Sequence, residues 1–131
     1  MGFYDSEIRA SEKEISRLRD RIHETFALRN RNEHKLREWE SACKEFHERY
    51  PKLAFPGGLE NALERIVSGD SKAIEAALCF IEIRPFFFRS GYMYKDILRK
   101  LRKAPLKEKE LERYELVYRK YLEYRRNRVN T

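Results

Sequence analysis

The sequence predicts an all-α protein: a long N-terminal heptad-patterned helix or helical hairpin, then a compact bundle of about four shorter antiparallel helices in solenoid-like pairs. Three observations carry this expectation. Charged residues make up 39% of the 131 residues, against a usual share of about 25%, while there are only 5 Gly and 4 Pro. So much charge with so few turn residues belongs to long solvated helices rather than to a sandwich or barrel. Aromatic residues reach 13%, which supplies the large apolar side chains that disordered chains lack. Apolar positions recur every three, four or seven residues, which is the spacing of a helix face.

The chain reads in three parts: an amphipathic segment over 1–50, a Pro/Gly linker over 51–58 and a basic bundle over 59–131. In the first part Ile8, Ile15, Ile22, Leu36 and Cys43 fall on one heptad position. Leu18, Trp39 and Phe46 fall on its partner three residues later. Thr25, Arg29 and Asn32 make the middle of this seam polar. No Gly or Pro interrupts it and the beat keeps phase, which favours one unbroken helix of about forty residues. The alternative is an antiparallel hairpin turning at Asn30-Arg31-Asn32, with Asn30 and Glu33 at capping-box spacing. The seam of Ile8, Ile15, Leu18, Ile22, Leu36, Trp39 and Phe46 serves either a homodimer or docking on the rest of the chain.

Pro51 is expected to end this segment, and Pro51 to Gly58 forms the linker, whose Leu53 and Phe55 should pack rather than float. Leu59, Leu63, Ile66 and Val67 then make a short apolar face closed by Gly69. Asp70 caps the next helix, in which Ala73, Ile74, Ala77, Leu78 and Ile81 form a seam. Cys79, Phe80 and Ile83 make that helix apolar nearly all round, which predicts a central helix that Pro85 terminates. Of the consecutive Phe86, Phe87 and Phe88, at least one must point away from the core, the cluster otherwise acting as a lid. A helix starting at Ser90 or Gly91 buries Tyr94, Ile97, Leu98 and Leu101, and Ala104-Pro105 closes it. A last helix runs from about Lys107 to Arg126, with Asn127 to Thr131 fraying.

Charge is unevenly placed. Residues 84–131 hold 15 Lys/Arg against 6 Asp/Glu, a net of +9, where residues 1–83 hold 14 against 16. Lys95, Arg99, Arg102 and Lys103 share one helix face, with Arg84, Arg89, Tyr92, Tyr124 and Arg125 completing the candidate binding set. Tyr114, Tyr118 and Tyr121 are spaced first of all as a packing stripe. Such a basic face suits an acidic protein partner, or nucleic acid bound through its backbone with little base preference.

Chemistry leaves weaker traces. His23, His34 and His47 lie among ordinary surface charges, without the paired titratable groups that acid–base work requires. Cys43 and His47 are four apart, a spacing open to a nucleophile–base pair or two metal ligands, but they read as a seam residue and its solvated flank. Glycine-rich phosphate loops, HExxH helices and Cys-x-x-Cys pairs are missing. No cofactor, metal or catalytic residue is assigned. Cys43 and Cys79 read as reduced thiols of a cytoplasmic protein, and no apolar run is long enough for a membrane span. The expectation is a non-enzymatic protein-binding module of adaptor, accessory or inhibitor (immunity) type. Sequence-nonspecific nucleic-acid binding through the same face is the alternative.

Overall fold

A computed structural model describes residues 2–130, with side chains through Arg128. It contains six helices and no strand among the described residues. They are α1 (Asp5–Leu28), α2 (Glu33–Leu53), α3 (Ala62–Ser68), α4 (Ser71–Ile83), α5 (Ser90–Leu101) and α6 (Glu108–Asn130).

The amino-terminal segment is two helices, which corrects the expectation of one unbroken helix. The chain breaks at Arg29–Asn32, and the cap of α2 is Asn32 rather than Asn30. Its backbone is extended and its side chain accepts the Lys35 N–H at 2.8 Å. The polar middle of the seam marks this turn, and Thr25 folds its hydroxyl back onto the Arg21 carbonyl just before it. After the turn α2 doubles back along α1. Phe26 meets Trp39 edge-on near the tip, Arg21 pairs with Glu45, and Arg49 bridges Glu45 and Glu14. Continuity of phase misled because two helices facing each other across a turn repeat the same seam that one long helix would.

Pro51 does not end α2. A proline in the last turn forfeits one backbone hydrogen bond, and the helix continues two residues to Leu53. The connection that follows is tied down. Ala54, Phe55 and Pro56 are buried, and the Arg65 guanidinium donates to the carbonyls of Gly58 and Glu60. Gly57 and Gly58 both adopt positive φ, which side chains rarely tolerate, so the tight return depends on them.

Gly69 at φ 94° closes α3, and the Asp70 carboxylate accepts the N–H groups of Lys72 and Ala73 to open α4. Within α4, Ala73, Ile74 and every residue from Ala76 to Ile81 are buried, as a helix apolar all round requires. Around it α1, α3, α5 and α6 pack. One continuous core joins Ile8 and Ile15 of α1, Phe55 of the connection, Ile66 of α3, Ile97 and Leu101 of α5 and Tyr114 of α6 to α4. Leu18 is buried as well, Ile22, Trp39 and Phe46 are half-buried, and Leu36 lies exposed near the hairpin tip. Arg84, in left-handed conformation ahead of Pro85, terminates α4.

The phenylalanine triplet splits. Phe87 is buried against Phe80 and Tyr50, and Phe88 sits half-open beside Phe46 and Tyr50 under the Arg19 guanidinium. Phe86 is 88% exposed, so the lid is made by its two neighbours. The Tyr50 hydroxyl fastens this junction by donating to the Phe88 carbonyl at 2.7 Å.

The last helix extends through Asn130, beyond the expected end at Arg126, while Thr131 lies outside the described residues. Its anchor is Arg113. The guanidinium reaches Glu75 at 2.8 Å and Glu82 at 2.7 Å, two carboxylates seven residues apart on α4. The hydrogen bonds it donates to Glu82 and Glu75 hold its pKa above the ordinary arginine range. Among the described residues no helix is long and apolar enough to cross a membrane.

A candidate basic groove between α5 and α6

Both α5 and α6 pack on α4, and a groove of about 690 Å³ runs between them. Lys95, Leu98, Arg99 and Arg102 form the α5 wall. The α6 wall carries Arg125 and Arg128 above Tyr114, Tyr118 and Tyr121. The spacing of each wall follows from helix geometry: residues three or four apart stack on one side. Leu98, Ile97 and Leu101 anchor α5 on the core, which aims Lys95, Arg99 and Arg102 along the opposite edge.

Tyrosine rings set the separation of the walls. Tyr121 meets Tyr94 of α5 at a centroid distance of 5.9 Å. Tyr114 and Tyr118 stack at 5.6 Å with nearly parallel planes. Arg102 lies 5.9 Å from the Tyr118 ring, and Arg125 the same distance from Tyr121. The tyrosines are thus both packing stripe and groove floor. Their spacing is legible in the sequence, but which face they turn to α5 is not.

Electrostatically the groove is lopsided. Arg99 pairs with Asp96 at 3.7 Å, whereas Lys95, Arg102 and Arg125 form no ion pair among the described residues. At the floor Tyr114 is only 6% exposed, and its hydroxyl has no hydrogen-bond partner among the described residues. Burial holds its phenol above the ordinary range, Tyr118 pushes the same way, and the Arg102 charge opposes both.

Of the residues expected to form one binding face, the structure brings Lys95, Arg99, Arg102 and Arg125 together. The others are elsewhere. Arg84 lies over the rings of Tyr94 and Tyr124 beside the α4–α6 contact, so Tyr124, a 50% exposed ring, does not line the groove. Arg89 caps α5 next to Phe88. Tyr92, 73% exposed, and Lys103 do not line the groove. A one-helix projection of α5 cannot say where α6 lies, and α6 selects which cations share a groove. Cys43 is half-buried and His47 exposed on α2. Cys79 is fully buried, and burial pushes its thiol up to about 11, with the nearby Glu75 adding to the effect.

Comparison with known proteins returns no match: no family model, no curated protein and no solved structure is significantly similar to this chain.

Proposed function

We propose that the chain is a non-enzymatic helical binding module, of accessory, adaptor or inhibitor type, that receives an acidic segment of a partner protein in the α5–α6 groove. The observation that carries this reading is the convergence of Lys95, Arg99, Arg102, Arg125 and Arg128 from two helices on one groove. A cleft lined by one sign of charge concentrates ligands of the other sign and raises their association rate. Four of the five are arginines, whose planar forks suit carboxylates held side-on. In this reading the heptad-spaced residues Ile8, Ile15 and Leu18 serve to dock the α1–α2 pair as a brace on α4, leaving no role for them in a homodimer. A cytoplasmic location goes with it, since Cys43 and Cys79 are both free thiols.

Nucleic acid is the competing occupant for the same cations. Against it, stacking of bases needs open ring faces, and Tyr114 and Tyr118 each turn one face to the other. The test is a pair of anisotropy titrations at about 50 and about 200 mM salt. One uses a labelled oligoglutamate peptide of about ten residues, the other an oligothymidylate of about that length. Peptide binding that weakens with salt and exceeds oligothymidylate binding supports the proposal. Tighter oligothymidylate binding at both salts hands the groove to nucleic acid, and no binding of either at low salt refutes both.

A further inference from the structure

The groove floor contains an incomplete hydrogen-bonding arrangement. Tyr114 is more than nine-tenths buried, and its hydroxyl has neither donor nor acceptor partner among the described residues. A buried polar group without a partner is costly, and native proteins keep few of them. The neighbours explain why it stays unpaired. Tyr118 stacks on Tyr114 ring to ring, and its hydroxyl makes no hydrogen bond to that of Tyr114. Arg102, beyond Tyr118, is a donor with no acceptor atom. Apart from the phenol oxygens themselves, these neighbours offer N–H and O–H donors and no acceptor.

Arg102 itself is placed to move. It follows the last residue of α5, its side chain is exposed, and no carboxylate among the described residues holds it. An anion entering from the groove meets the exposed Arg102 guanidinium, which lies over the Tyr118 ring beside Tyr114. We infer that Arg102 and Tyr114 form a carboxylate seat: a Glu or Asp side chain of the acidic partner takes two N–H bonds from Arg102 and the O–H of Tyr114. A planar carboxylate matches the guanidinium fork and still has lone pairs for the phenol. The seat rests on the groove reading proposed above and adds to it a fixed anchor, distinct from the diffuse attraction of the other cations. Lys95 and Arg125 would set how fast and how salt-dependently a partner arrives; the seat would set how long it stays.

The experiment uses the full chain and the labelled oligoglutamate peptide, comparing wild type with Tyr114→Phe and Arg102→Gln. Tyr114→Phe removes one hydrogen bond to a charged group and no charge. It is expected to weaken the peptide about tenfold while leaving the salt dependence unchanged. Arg102→Gln should weaken binding and also flatten the salt dependence. Equal affinity of Tyr114→Phe and wild type overturns the seat while the groove reading stands. Failure of the wild type to bind the peptide overturns both. Should Tyr114→Phe disturb folding, judged by circular dichroism, the exposed Arg102→Gln decides: wild-type affinity there overturns the seat. A tenfold loss with oligothymidylate, and none with peptide, overturns the carboxylate assignment in favour of a phosphodiester.

Discussion

Removing the Arg113 clasp tests whether α6, one wall of the groove, is held by charge as well as by packing. Arg113 makes two hydrogen bonds to each of Glu75 and Glu82, at 2.7–3.0 Å. All three side chains are about two-thirds covered, with exposures of 29%, 31% and 33%. Exposed pairs contribute about 0.2–1 kcal/mol, and removing one member of a fully buried pair costs about 3–5 kcal/mol. An intermediate environment with two bidentate contacts places Arg113→Met near 2 kcal/mol, after discounting for the solvent that reaches each group. With an unfolding entropy of about 2.1 cal/mol/K per residue, that lowers Tm by about 7 °C in a chain of this length. Methionine keeps most of the aliphatic stem, so the loss reports the charge and its hydrogen bonds. The assay is thermal unfolding by circular dichroism of Arg113→Met, Glu75→Gln/Glu82→Gln and the combined variant. Strongly non-additive losses are expected, because either change alone breaks the same contacts. A Tm within about 2 °C of wild type for Arg113→Met, or simple additivity, would mean that packing alone holds α6.

Two further outcomes follow from single groups. Asn32→Ala should destabilise the protein by about 1 kcal/mol, whereas Asn30→Ala should stay within about 0.5 kcal/mol, because only Asn32 caps α2; equal effects in urea unfolding would remove Asn32 as the cap. Cys79 ties stability to alkaline pH. Below about 9 the thiol is protonated in both folded and unfolded chains, and its contribution is complete. Between about 9 and about 11 the unfolded thiol ionises while the buried one does not, so stability falls by up to about 2–3 kcal/mol. Cys79→Ala should show a shallower decline over that window than wild type, which separates the thiol from the tyrosines Tyr50, Tyr94 and Tyr114, also shifted upward by burial. Parallel declines in the two proteins would contradict it.

What could be read from the sequence follows a physical division. Local chemistry was legible: the Asp70 cap, the Gly69 stop, the Pro85 boundary and the all-round apolarity of Ala73–Ile81 each act within one or two turns of chain. Relations between helices were not. The turn at Arg29–Asn32 lacks Gly and Pro, and its one signal was the polar stretch in an otherwise apolar seam. The continuation of α2 through Pro51 depends on a proline needing to forfeit only one bond so close to the helix end. The groove is the clearest case. Lys95, Arg99 and Arg102 were recognisable as a basic face of α5, but their partnership with Arg125 depends on where α6 lies. That is decided by Arg113 reaching Glu75 and Glu82, residues 38 and 31 positions earlier in the chain.

The separation of α5 from α6 also has an energetic cause that links stability to binding. Tyr94 and Tyr121 act as spacers, and the cations on both walls repel one another across the gap, so closing it without a ligand is opposed by charge and by ring bulk alike. The arrangement therefore holds a surface that would be more stable with fewer charges. Lys95→Gln/Arg125→Gln removes one cation from each wall and breaks no ion pair among the described residues. The double variant should unfold a few tenths of a kcal/mol later than wild type, the scale of like-charge repulsion between exposed groups. It should also bind the acidic peptide more weakly, with a flatter salt dependence. A gain in stability paired with a loss of binding is the pattern of residues kept for a partner rather than for the fold. If the double variant is less stable and binds as well as wild type, these cations are ordinary solvated charges, and the groove loses its claim as the binding surface.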